Sequence, residues 1–210
     1  MKPYSKQTND GFTMVETIVV VVIIGILSAI VAPSWLGWLT RQRVNTAQGE
    51  AVMVLREAQS NAKREKRVWQ ACFRDTGTKV QWSVQPQHPN DANTGINRCL
   101  NPGEHPNAGI AWNNLASEDA DKIAIDTANT TLSPAGSNTY SVLFQYKGLL
   151  KTESVQTGGI TFGTRDNQGS LGVRGGTKRC VAVMTIMGAT ATAGDNDCPT
   201  LVQTARLIIR

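Results

Sequence analysis

The sequence predicts an α+β protein, with one long N-terminal α-helix followed by an antiparallel, β-sandwich-like globular head. Three observations carry this prediction. From Met14 to Ala32 the only charged residue is Glu16. From Leu36 to Ala62 apolar residues recur mostly every three or four positions, the spacing of one helix face. Beyond residue 67 the period switches to two, in a stretch rich in Gly, Ser, Thr and Asn that suits turns and strands. A chain of 210 residues has room for one membrane-length segment and one modest head.

The first element is the apolar run. At about 1.5 Å per residue, Met14 to Ala32 reaches about 28 Å, close to the thickness of a bilayer's hydrocarbon core. An ordinary signal peptide would use Lys2 and Lys6 as its basic start. Against that reading, Pro33 directly follows Ala32, the small residue that could mark a cleavage site, and Glu16 falls inside the apolar region. A carboxylate in lipid costs about 2.5–3.5 kcal/mol on insertion scales and therefore needs a partner or an interface. No basic residue lies within a turn or two of Glu16, so a single helix cannot supply that partner.

The hexapeptide Gly11-Phe12-Thr13-Met14-Val15-Glu16, with the apolar run behind it, resembles the processing site of type IV prepilins and pseudopilins. The resemblance implies that residues 1–11 are a leader, cut by a prepilin peptidase between Gly11 and Phe12. Phe12 would then be the N-methylated first residue. Glu16 would meet the terminal amine of a neighbouring subunit and set axial register in a filament. Gly25 and Pro33 stand where many pilins carry a helix-loosening glycine and proline. Residues 12–34 would be the transmembrane and filament-core helix, in the bacterial inner membrane with the head outside the cytoplasm. Assembly would carry the chain into a periplasmic pseudopilus or an extracellular pilus.

After Pro33 the stripe Leu36, Leu39, Val44, Ala47, Ala51, Val54, Leu55, Ala58 and Ala62 predicts an amphipathic helix over 35–67 that lies against the head. Arg41, Gln42, Gln48, Glu50, Arg56, Glu57 and Lys63 fall largely off the stripe. The whole helix is expected from about 12 to about 64, bending at Pro33, where an interior proline removes a hydrogen bond. The alanine-rich segment 55–64 leading into a first strand is similar to the FimT-like, or H-type, minor pseudopilins.

The head, 68–210, contains strand candidates at 68–73, 79–84, 122–126, 140–146, 160–162, 171–173, 179–187 and 201–209. Turns are expected at Asp75-Thr76-Gly77-Thr78 and at Asp166-Asn167-Gln168-Gly169. The Pro- and Asn-rich stretch at 85–114 reads as a long loop or insertion. Cys72, Cys99, Cys180 and Cys198 allow three pairings if the head lies outside the cytoplasm. Cys72–Cys99 and Cys180–Cys198 are preferred because each closes one local loop. Zinc held by Cys99, His105 and His88 is the competing use, and no CxxC or HxxxH spacing supports it.

Catalysis finds little support. The two histidines, His88 and His105, both lie in the long loop, and GxSxG, P-loop and paired-carboxylate motifs are absent. No cofactor is expected; calcium is the one candidate, at Glu118, Asp119 and Asp121 or at Asp195 and Asp197. The net charge of +5 favours anionic partners without naming one. Basic residues at Lys63, Arg64, Lys66, Arg67, Arg174, Lys178 and Arg179, with Arg206 and Arg210, would make a DNA-binding surface if they converged. The expectation is therefore a structural subunit, not an enzyme. It is a minor pilin or pseudopilin of a type IV pilus or type II secretion pseudopilus, with an initiation or tip role. The alternative is a DNA-binding minor pilin of a DNA-uptake pilus. Its partners would be prepilin peptidase, other pilins, the inner membrane before assembly and, in the alternative, DNA.

Overall fold

A computed structural model of the chain describes residues 11–88, 98–104, 110–151, 157–165 and 173–207, and says nothing of the side chains at 31–34, 174–175 and 206–207. The chain divides into two compact units, Met1–Leu39 and Thr40–Arg210. A single helix, α1, Met14–Glu65, begins in the first unit and ends in the second. The backbone of Lys66 takes a φ of 52°, a left-handed conformation that stops the helix there.

In the first unit every described side chain from 11 to 30 is exposed, so among the described residues nothing buries the Val- and Ile-rich run. No single helix among the described residues is long and apolar enough to cross a membrane; Met14–Ile30 and Trp35–Glu65 pass that test only together. The bend expected at Pro33 would fall between Met14–Ile30 and Trp35–Glu65, across residues 31–34, whose side chains are not described. Gly25 faces open space, with no atom within 4 Å of the position a Cβ would take.

The second unit holds the core. Val44, Ala47, Ala51, Val54, Leu55, Ala58 and Ala62 are all buried, which is the predicted stripe from its third member onward. Leu36 is 65% exposed, so the stripe becomes a packing face only where α1 enters this unit. The second half of α1 thus shares a core with the head, and the division at 39/40 comes before the change of period near residue 67.

Two antiparallel sheets meet that helix. The strands are β1 (Trp69–Asp75), β2 (Val80–Pro86), β3 (Asn113–Asn114), β4 (Ile123–Ile125), β5 (Ser133–Gly136), β6 (Thr139–Phe144), β7 (Gly158–Arg165), β8 (Val173–Val183) and β9 (Thr190–Gly194). The first sheet runs β3-β2-β1-β6-β5 and the second β4-β7-β8-β9. Alternation places Ala71 and Phe73 of β1, Val142 and Phe144 of β6, Ile160 and Phe162 of β7 and Val181 and Val183 of β8 in one cluster with α1. Phe73 and Phe162 meet edge to face across the two sheets, 6.3 Å between ring centres. Each large side chain buried there contributes about 1.5–3 kcal/mol.

Polar ties fix how α1 lies on the sheets. Arg43 Nε is 2.8 Å from Asp119 Oδ1. The Gln48 amide donates to the carbonyls of Cys180 and Ala193, both at 2.8 Å, and the Gln59 amide to those of Gly148 and Met187, also at 2.8 Å. Glu50 accepts from Trp82 Nε1 at 2.7 Å and from the Ala116 backbone N–H at 2.6 Å. The sequence placed Gln48 and Glu50 off the packing stripe; the structure shows them anchoring the helix to both sheets.

One strand prediction is overturned. The segment expected as a strand at 201–209 lies mostly in a helix, α2, Asp197–Leu207. Cys198, Val202 and Ala205 are buried at spacings of four and three, against the second sheet, and Cys198 is bonded to Cys180 of β8. Pro199 sits in the first turn, where a missing N–H costs nothing. Val173 and the first part of the candidate at 179–187 belong to β8, which ends at Val183, while 171–172 lie outside the described residues. Residues 184–189 form the turn into β9, a strand not anticipated, and Gly188 takes a φ of 77° there. The turn expected at 166–169 lies outside the described residues. Of the stretch expected as a loop, 85–86 completes β2 and 113–114 forms β3.

Both disulfides are local: Cys72–Cys99, 27 residues apart, and Cys180–Cys198, 18 apart. The first ties the described part of the long loop to the outer face of the first sheet, where Gln70, Ser83, Gln85 and Ser141 are buried. Removing either bond by paired Cys→Ser substitution is expected to cost about 3–4 kcal/mol from loop entropy. Urea midpoints of the two paired variants against the parent protein measure it.

Candidate functional site

The site with the clearest chemistry is the start of α1. Thr13 immediately precedes the helix, and its Oγ1 accepts the Glu16 backbone N–H at 3.3 Å. The Thr17 backbone N–H and hydroxyl both donate to the Thr13 carbonyl, at 3.2 and 3.3 Å. Thr13 is therefore an N-cap, and Thr13-Met14-Val15-Glu16 has the spacing of a capping box. Sequence reasoning passed over Thr13, although that spacing was there to be read.

This geometry places Glu16 at the helix start. As the acid in the first turn it sits at the positive end of the helix dipole. Its side chain is exposed and in no ion pair among the described residues. A chain beginning at Phe12 would place an ammonium one residue before the cap, beside that positive end, where an acid from the same or another chain is needed. Phe12 is 82% exposed and Gly11 has open space around it, so the bond between them is accessible.

Among the described residues the basic side chains do not converge. Arg179 is on β8, with its Nε 2.7 Å from Asn45 Oδ1 of α1. Lys63 is further along the same helix and, at about 1.5 Å per residue, about 27 Å from Asn45. Lys178 and Arg179 are also engaged, Lys178 Nζ with Asp126 Oδ2 at 2.7 Å and Arg179 Nη1 with Asp195 Oδ2 at 2.9 Å. Near the end of α1, Arg67 lies 2.6 Å from Glu65 and over the Trp69 ring, and Arg64 bonds Asn61. The side chains of Arg174 and Arg206, and all of Arg210, lie outside the described residues.

Three of the five acids considered for calcium, Asp119, Asp121 and Asp195, are paired locally. Asp119 pairs with Arg43, Asp121 with Lys122 at 2.6 Å, and Asp195 with Arg179. Among the described residues no group of three or more His, Cys, Asp or Glu is placed to hold a metal ion. Cys99, the thiol considered for zinc, is in a disulfide, and His105 lies outside the described residues.

These pairs make the head sensitive to acid. Burial opposes the charge of Asp126, but hydrogen bonds from Lys178 and Asn129 outweigh it and hold the carboxyl below its ordinary value. Asp195 is held low by the Lys178 backbone N–H and the Arg179 guanidinium. Both folded values are depressed, so the stability they add is present above about pH 4, the ordinary aspartate range, and is lost as pH falls through the folded values. An acid titration followed by near-ultraviolet circular dichroism should show this loss. Lys178→Met should shrink the Asp126 share, leaving only the Asn129 bonds, and flatten the profile.

Comparison with known proteins finds a family match confined to the N-terminal segment. The chain carries the prokaryotic N-terminal methylation motif over residues 6–32, which includes Gly11, Phe12 and Glu16. No curated protein matches the chain. Among solved structures, the type IV minor pilin FimU of Pseudomonas aeruginosa is similar at 14% identity and a TM-score of 0.43, over 75% of this chain and 96% of that one.

Proposed function

We propose that this chain is a minor pilin of a type IV filament system, made as an inner-membrane prepilin and built into a filament through α1. The observation that carries the reading is the methylation motif laid over a capped helix whose apolar run is exposed among the described residues. A prepilin peptidase would cut between Gly11 and Phe12 and methylate the new terminus. Packing of Met14–Ile30 among neighbouring helices would then cover the exposed valines and isoleucines, which face the bilayer until assembly. The Thr40–Arg210 unit would be the head that each subunit displays.

The long inserted loop and disulfide-tied head suit a subunit of low abundance at the tip or in initiation, in a pilus or a secretion pseudopilus. Fractionation tests this. The chain should appear in sheared filaments at well below the amount of the major subunit. Retention solely in the membrane fraction of cells that are making filaments would overturn the assignment.

A DNA-contacting role in an uptake pilus has one feature in its favour, the exposed basic end of α1 at Lys63, Arg64, Lys66 and Arg67. Without Lys178 and Arg179 it is a small patch. Binding of the Thr40–Arg210 unit to duplex DNA that weakens steeply with salt supports that role, and no shift at low salt removes it.

A further inference from the structure

Two of the five tryptophans stand apart from the rest. Trp82 and Trp112 have their indole N–H groups bonded, to Glu50 and to the Leu100 carbonyl, and Trp69 packs against the core. Trp35 and Trp38 have neither arrangement. They are 58% and 53% exposed, and their indole N–H groups have no partner among the described residues. They sit one turn apart on α1 with ring centres 5.1 Å from each other, forming one aromatic face. Residues 17–40 carry no charge, so the pair lies near the far end of a charge-free stretch bounded by Glu16 and Arg41. Along the helix, Met14 to Trp35 measures about 32 Å and Met14 to Trp38 about 36 Å, against a hydrocarbon core of about 30 Å.

We propose that Trp35 and Trp38 seat the unassembled chain in the boundary between headgroups and acyl chains on the non-cytoplasmic face of the bilayer. Several features favour lipid as the occupant of this face. The aromatic face continues the exposed apolar run, and its distance from the helix start matches the core thickness. Its two free N–H groups suit a layer that is apolar on one side and rich in carbonyl and phosphate acceptors on the other. Anchoring at this level holds the start of α1 at the opposite boundary, where the bond between Gly11 and Phe12 is presented at a fixed height. The pair thus acts as a positioning element for processing, an inference that rests on the prepilin reading above.

The test measures depth. The full chain is reconstituted in phosphatidylethanolamine and phosphatidylglycerol vesicles containing lipids brominated near the headgroup end or near the methyl end of the acyl chains. Subtracting the fluorescence of the Trp35→Phe/Trp38→Phe variant isolates the pair, and both residues lie outside the core, so the variant keeps its head. Shallow bromines are expected to quench the isolated signal at least about twice as strongly as deep ones. Equal or stronger quenching by deep bromines, or none by either, would overturn the proposal. Cleavage after Gly11 is scored separately, so a prepilin whose tryptophans are not interfacial is distinguished from a chain that is no prepilin.

Discussion

Asp75→Ala is expected to lower the stability of the Thr40–Arg210 unit by about 3–5 kcal/mol, the cost of leaving a buried charge without its partner. Asp75 ends β1, and its Oδ1 lies 2.8 Å from Arg165 Nη2 at the end of β7, with side chains only 2% and 8% exposed. The same carboxylate accepts the backbone N–H groups of Gly77 at 2.9 Å and Ile125 at 3.2 Å. It therefore closes the β1–β2 turn and satisfies the outward edge of β4, joining the two sheets at one point. Arg165 Nη1 donates to the Gly77 carbonyl, while its Nε is buried without a partner. Without Asp75 the guanidinium would keep one neutral acceptor. Domains are typically stable by about 5–15 kcal/mol, so this loss alone brings the unit near its limit. Arg165→Met added to Asp75→Ala should recover much of it, because no unpaired charge then remains buried. Urea midpoints of the single and double variants give both numbers. A single variant within about 1 kcal/mol of the parent would mean that water reaches the pair.

Glu16→Ala is expected to leave membrane insertion intact and to stop incorporation into filaments. Removing a carboxylate from the first turn of the apolar helix makes insertion easier rather than harder, so a failure to insert is not the anticipated defect. Incorporation depends instead on what Glu16 meets in the assembly. An ion pair worth about 2 kcal/mol corresponds to roughly a thirtyfold loss of incorporation. Thr13 keeps the cap, because its Oγ1 bonds the Glu16 backbone rather than the side chain, so α1 should still start where it does. Glu16→Gln separates charge from hydrogen bonding and should behave like the alanine variant. Quantifying the chain in membrane and filament fractions decides the matter. Normal incorporation of the alanine variant would remove the register role.

What was legible in the sequence followed from periodicity. The run Val44, Ala47, Ala51, Val54, Leu55, Ala58, Ala62 could be read because burial on one helix face leaves a spacing of three and four. The β1–β2 hairpin was legible from alternation around Asp75-Thr76-Gly77-Thr78. Gln48, Glu50 and Gln59 were not, because a polar side chain that bonds a strand carbonyl or N–H looks like a solvated one until the strand is in place. The segment 201–207 was misread because Val202 and Thr204 favour strands locally, whereas Cys180 and the second sheet hold it in the helix from Asp197. At the candidate site, Gly11, Phe12 and Glu16 are a linear signal and could be read directly. The basic residues required three-dimensional convergence, and the fold separates Lys63 from Arg179.

The central claim is that Gly11-Phe12 is a processing site and that Phe12 begins the mature chain. The most direct measurement is the intact mass and N-terminal sequence of the protein purified from cells with an active prepilin peptidase. The account predicts a chain that starts at Phe12 and carries one additional methyl group on its terminal nitrogen. A mature protein that still begins at Met1, or one cut at Ala32, would contradict it.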